Sequence, residues 1–144
     1  MALIQHSDPV VRFSQQVENA RAFVLPFIQQ CTSINEQLRI LDIGCGDGGV
    51  LLPFLELGCR ATGIELDEQK SSIAVSFLSA FTATGQVEII NRNIYDESAL
   101  QEYKEKFDLI ILKDVIEHIP EQNRFIPYLK QFLKQKLHFH WLKL

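Results

Sequence analysis

An α/β domain, with a mainly parallel sheet of about five strands between helices on both faces, is predicted by three observations. Short apolar runs alternate with longer segments of helical period, and that order implies right-handed crossovers between parallel strands. One run, "FDLIILKDV", is apolar almost throughout, as strands buried on both faces are. The glycine-rich and polar residues gather just past the runs, at Asp42 to Gly48, Glu65, Asn93 to Asp96 and Lys113 to His118. Those are the carboxyl ends of the expected strands, where ligands sit in such sheets.

Each element has its own signal. Val10, Phe13, Val17, Ala20, Val24 and Phe27 recur at threes and fours, so a helix runs from about Pro9 to Cys31. Pro9 suits its first turn, and Pro26 kinks or divides it for want of a backbone donor. After the polar linker "CTSINEQ", "RILDI" (39–43) is a short strand ended by glycine. "DGGVLLPFLEL" (47–57) reads as a helix, "CRATGIEL" (59–66) as the second strand, and "DEQKSSIAVSFLSAFTATG" (67–85) as one long helix capped by Asp67 and ended at Gly85. "QVEIINRNI" (86–94) is a third strand, "DESALQEYKEK" (96–106) a short helix and "FDLIILKDV" (107–115) a fourth strand. At the end, "KLHFHWLKL" alternates well enough for a fifth.

Composition limits the function classes. With 144 residues, 47% of them hydrophobic and 22% charged, the chain fits one domain with a single core. It divides into a helical segment (1–37), a ligand-binding core (38–133) and an atypical strand or tail (134–144). No apolar run approaches the roughly 18 to 20 residues of a membrane span, and "MALIQHSDPVVRFS" lacks the order of a signal peptide. A soluble, cytoplasmic protein with no membrane partner is expected. Cys31, Cys45 and Cys59 form neither a CxxC pair nor a Cys/His cluster, and the "HFH" of His138 and His140 is a poor basis for a site, so no metal is expected. A net charge of −4 argues against nucleic acid, although Lys130, Lys134, Lys136 and Lys143 make the last fifteen residues basic.

The stretch "RILDIGCGDGG" concentrates the chemistry. Gly44, Gly46 and Gly49 formally satisfy GxGxxG with Glu65 about twenty residues on, a dinucleotide fingerprint. Asp42, within the strand, and Asp47, where a helix would open toward pyrophosphate, set negative charge against a diphosphate. A ligand with a cationic centre and a free amino group is favoured there instead.

"ILDIGCGDGG", "GIELD" and "FDLIILKDVIEHIP" together resemble the class I S-adenosylmethionine-dependent methyltransferases, in the small-molecule branch that shares a D-V-x-E-H stretch. The resemblance runs from about Leu38 to Leu133 and implies a three-layer Rossmann-like sandwich. It implies that backbone at Gly44, Cys45 and Gly46 passes close to the methionine part of S-adenosylmethionine, with Asp42 orienting the amino group. Glu65 would accept from both ribose hydroxyls, Leu66 would lie beside the adenine, and Asn93 and Ile94 would hold that ring. Lys113 and Asp114 would begin the segment lining the methionine end. Plainer roles exist beside these: Asp42 satisfying amides of the glycine turn, Glu65 acting as a helix N-terminal acid, Asn93 as a turn residue with Asp96 in its place, and Cys45 as a small filler.

His118 is the candidate general base, since imidazole titrates near neutrality; the alternative is that Glu117 and His118 merely hold the loop entering the next helix. By the same resemblance, the lack of an "NPPF" or "DPPY" stretch or a Pro-Cys pair excludes bases of DNA and leaves a small-molecule acceptor. The family normally continues with a Lys-Pro-Gly-Gly-like turn and further strands. This chain has "LKQFLKQKLHFHWLKL" instead, so a shortened relative is expected, with a sheet edge open to homodimerisation. A catalytically inactive cofactor-binding remnant and a dinucleotide-dependent oxidoreductase stay open as alternatives.

Overall fold

Four parallel strands lie in the order β3-β2-β1-β4: β1 (Arg39–Ile43), β2 (Arg60–Glu65), β3 (Val87–Asn91) and β4 (Leu109–Ile111). The computed structural model describes residues 8–113 and 115–135; Asp114 and the stretch expected as a fifth strand, with its edge, lie outside them. At the end of the described chain, Leu133 forms a parallel bridge with Phe107, just ahead of β4. The register aligns Asp42 with Gly63 and Ile111, and Glu65 with Asn91. All four strands therefore finish along one edge, and whatever follows them in sequence meets there.

The helices form where capping and periodicity require, with two departures from expectation. Asp8 caps α1 (Pro9–Asn19) by accepting from the Val10 amide at 2.8 Å, and Pro9 occupies the first turn. The helix is divided just ahead of Pro26, as its position predicts. A π-helical turn (Ala20–Val24) joins α1 to α2 (Leu25–Cys31), and the Leu25 amide donates to the Ala20 carbonyl five residues back. The wide turn comes immediately before the proline, which has no amide of its own to continue the ladder. The helix expected over 47–57 shrinks to α3 (Leu52–Glu56), because Gly48 at φ +87° lies outside helical space and residues 44–51 form tight turns instead.

The long helix expected over 67–85 is divided at Leu78, whose buried side chain and dihedrals of −99° and 20° separate α4 (Glu68–Phe77) from α5 (Ser79–Ala83). Asp67 caps α4 by accepting from the Gln69 and Lys70 amides, and Gly85 ends α5 at φ +73°. After β3 comes α6 (Glu97–Tyr103). β4 is shorter than the predicted 107–115, since its pairing with β1 ends at Asp42–Ile111. A single 3₁₀ turn (Ile116–His118) then leads to α7 (Gln122–Leu129).

Alternation along the strands feeds two cores. Ile40 and Ala61 point to one face, where they pack with Val24, Phe54, Leu55 and Leu78 from the N-terminal helices, α3 and the break after α4. Leu41, Ile43 and Ile64 point to the other, against Tyr103, Phe125, Leu129 and Phe132. Each large side chain buried this way contributes about 1.5–3 kcal/mol. Because both faces are covered, the strands need apolar residues on both sides, which is why they read as unbroken runs. Among the described residues no helix is long and apolar enough to cross a membrane.

Candidate functional site

The carboxyl edge of the sheet collects a glycine loop and two carboxylates. Past β1 the chain turns at Gly44, where the Ile64 carbonyl of β2 accepts from the amides of Gly44 at 2.8 Å and Cys45 at 3.2 Å. Gly44 has φ +70°, and a Cβ there would overlap Cγ2 of Val115, so the loop is held directly under the segment that follows β4. Cys45 turns inward onto β2, with its sulfur where a Cβ at Gly63 would come within 2.8 Å. Burial pushes its thiol well above the usual range, and the side chain is a neutral filler rather than a nucleophile.

Glu65, at the end of β2, spans the loop and the next turn. Its Oε2 accepts from the Gly46 amide at 2.8 Å and its Oε1 from the Asp67 amide at 2.9 Å. It is thus not the cap of α4, which Asp67 supplies, and each oxygen retains a further lone pair for another donor. Asn91 of β3 fixes the backbone beneath it, its side-chain amide donating to the carbonyls of both Glu65 and Leu66 at 2.9 Å. Leu66 itself projects outward, 70% exposed.

Asp42 differs from every other acid described. It is only 1% exposed, and its Oδ2 is buried with no hydrogen-bond partner among the described residues. Burial, reinforced by the nearby charge of Glu65 and opposed by Lys113, pushes its carboxyl up to about 8. It does not satisfy the amides of the glycine turn; those go to Ile64 and Glu65.

The third strand end is built more plainly. Asn93 accepts from the Tyr95 amide at 2.9 Å, an Asx turn, and lies exposed. Ile94 is buried, and its carbonyl accepts from the Tyr128 hydroxyl of α7 at 2.8 Å, with the Tyr95 and Tyr128 rings stacked 5.4 Å apart. Past β4, Lys113 is half-buried and Asp114 lies outside the described residues. His118 is 78% exposed, with Nε2 3.6 Å from the Glu117 carboxylate. The turn that carries them is tied to α7 by Gln122, which donates to the Ile116 carbonyl.

Asp47 requires a correction. It presents no charge to a ligand, because it is buried and held by the Arg12 guanidinium of α1, Nε to Oδ2 at 2.7 Å and Nη2 to Oδ1 at 3.3 Å. No helix N-terminus faces the loop for a pyrophosphate either, since α3 opens only at Leu52. The standing negative charge of the edge is that of Glu65, while Asp42 is a buried acid that an arriving cation would ionise. Sequence reading overlooked Arg12, Gln16, Asn91 and Tyr128. A polar residue at a strand end was a usable signal for Asn91; the other three act across long sequence separations that no local pattern reveals.

The edge therefore offers a buried carboxylate lacking a donor, a second carboxylate at the loop rim, a close-approach backbone turn and an exposed apolar side chain. A molecule with an ammonium, vicinal hydroxyls and a flat apolar ring matches that set; a diphosphate does not. Among the described residues no group of three or more His, Cys, Asp or Glu is placed to hold a metal.

Residues 15–139 match a methyltransferase domain family. The chain is 37% identical over 101 residues to a ubiquinone biosynthesis O-methyltransferase of Bartonella quintana, covering 70% of this chain and 39% of that protein. It is similar to the crystal structure of a SAM-dependent methyltransferase from Thiobacillus denitrificans in complex with S-adenosyl-L-homocysteine, with 26% identity and a TM-score of 0.54 over 67% of this chain and 38% of that one. The YcgJ protein of Bacillus subtilis shares the fold at a TM-score of 0.63 and 21% identity, covering 77% of this chain and 46% of that one. The chain thus spans less than half the length of these proteins.

Proposed function

The chain belongs to the methyltransferase domain family, and from that premise we propose that its strand-end cleft binds S-adenosylmethionine for methyl transfer to a small-molecule acceptor. The observation that carries this is the Asp42 carboxylate, buried at the end of β1 with Oδ2 unpartnered beside the glycine loop. A buried acid left without a donor costs about 1–3 kcal/mol, and a cationic amino group is the donor its position invites.

The remaining assignments follow from position. Backbone at Gly44, Cys45 and Gly46 comes close to the methionine part, with Asp42 receiving its ammonium. Glu65 accepts from the ribose hydroxyls with the lone pairs not engaged by Gly46 and Asp67. Leu66 covers one side of the adenine, Asn93 and Ile94 hold its edge, and Lys113 borders the methionine end, where Asp114 also belongs. The bound cofactor supplies an electrophilic methyl on sulfur. What the protein adds is alignment of the acceptor behind that methyl and removal of the acceptor's proton, a role that falls to His118 on the turn after β4.

The family match supports this over a dinucleotide oxidoreductase, and so does the placement of α3, which sets no helix N-terminus against the loop. The ubiquinone-related name of the Bartonella relative supports a hydroxyl on a small aromatic ring as the first acceptor to try. The test is release of S-adenosylhomocysteine from S-adenosylmethionine in the presence of small phenols, with amines and carboxylates for comparison. Turnover with phenols that His118→Ala lowers, at unchanged cofactor affinity, supports the assignment. Binding without turnover on any acceptor would reduce the chain to a cofactor-binding module.

A further inference from the structure

The N-terminal helix grips the glycine loop from outside, and three residues on one face of α1 do so. Arg12 forms the two-point ion pair with buried Asp47. Gln16, one turn later, accepts from the Gly49 amide at 2.9 Å, and its Nε2 lies where a Cβ at Gly46 would come within 3.2 Å. Phe13 stacks on Phe77 of α4 with ring centroids 4.6 Å apart, and its carbonyl lies 2.5 Å from the place of a Cβ at Gly49.

Gly46 and Gly49 are thus bare toward α1, Gly46 half-buried and Gly49 buried beneath the helix. The loop is sandwiched: Glu65 holds the Gly46 amide from the sheet, and Arg12 and Gln16 hold Asp47 and Gly49 from the helix. α3 begins only at Leu52 and cannot order residues 46–49 by continuing into them.

We propose that Arg12 and Gln16 are positioning residues of the cofactor site, setting the backbone of Gly46–Gly49 through Asp47 and Gly49 without touching the cofactor; this rests on the cofactor reading above. The chemistry is specific: a guanidinium fork fixes both oxygens of a carboxylate and so fixes the peptide planes around it, which a single-point cation does not do. Alignment errors of this kind are transmitted to ligand affinity even from residues outside contact.

The test compares S-adenosylhomocysteine affinity with thermal stability in the full chain. Gln16→Ala removes the acceptor of the buried Gly49 amide, so Tm falls by a few degrees, and affinity of the folded protein weakens by about tenfold. Arg12→Met leaves Asp47 buried and unpaired and lowers both affinity and Tm. Arg12→Met combined with Asp47→Asn removes the stranded charge, so Tm recovers while affinity stays weak. A merely structural helix predicts the opposite pattern, with affinity of the folded protein unchanged in all three. Affinity within about twofold of wild type in Gln16→Ala and in the double variant overturns the proposal, and Gln16→Ala alone decides it should the Arg12 variants not fold. Absence of binding by the wild-type chain would instead overturn the cofactor reading.

Discussion

Asp42 and Glu65 are both strand-end acids, yet their surroundings give them different chemistry. Glu65 is satisfied by two backbone amides and holds the loop to the next turn. Glu65→Ala removes both of those bonds and the proposed ribose contacts; at about 1.5–3 kcal/mol for each of two charge-assisted ribose bonds, cofactor affinity measured by calorimetry falls by about a hundredfold or more. Asp42 is buried without a donor, and its carboxyl is raised to about 8. The unfolded chain releases that proton near the ordinary carboxylate value of about 4, whereas the folded chain keeps it. Between those limits the folded state binds the extra proton, so its contribution to stability is full below about pH 4 and is lost as pH rises toward 8. Asn at this position does not titrate. Urea unfolding of the ligand-free chain therefore shows Asp42→Asn gaining stability over wild type as pH goes from 5 to 8; a pH-independent difference would contradict the burial argument.

At the scale of elements, the glycine loop is shaped by what lies against it. The sequence motif placed the turn after β1 correctly, because glycines after an apolar run leave few alternatives. It did not reveal that Val115, from the segment after β4, occupies the space a side chain at Gly44 would need. Gly44→Ala is destabilising on two counts: about 1–2 kcal/mol for a non-glycine residue at positive φ and about 1–3 kcal/mol for the overlap. Adding Val115→Ala relieves the second contribution and leaves the first, which denaturant unfolding of the single and double variants resolves. The helices show the same division between local and distant causes. Asp67 caps as its sequence position indicates, and Asp8 caps α1 in a role the sequence reading had not assigned, while the 67–85 helix is interrupted at Leu78, buried in the core, which periodicity alone did not show.

For the molecule as a whole, the sharing of one edge follows from parallel pairing and was legible once the apolar runs and their polar ends were read together, whereas the strand order β3-β2-β1-β4 was not. Parallel strands force every carboxyl end to one side, so residues as distant as Asp42, Glu65, Asn93 and His118 were assignable to a common edge without coordinates. Charge compensation was not legible. Asp47 read as a repulsive charge in the loop, and only the fold brings Arg12 to it from 35 residues away. Likewise Tyr128 reaches the Ile94 carbonyl across 34 residues. The central claim is that the edge is a cofactor site organised around a buried acid. Calorimetric titration of S-adenosylhomocysteine into the wild-type chain and Asp42→Asn tests it most directly: saturable binding at one site per chain, markedly weakened by the substitution, is the predicted result. No binding to the folded wild-type chain, or equal binding to both, would contradict it.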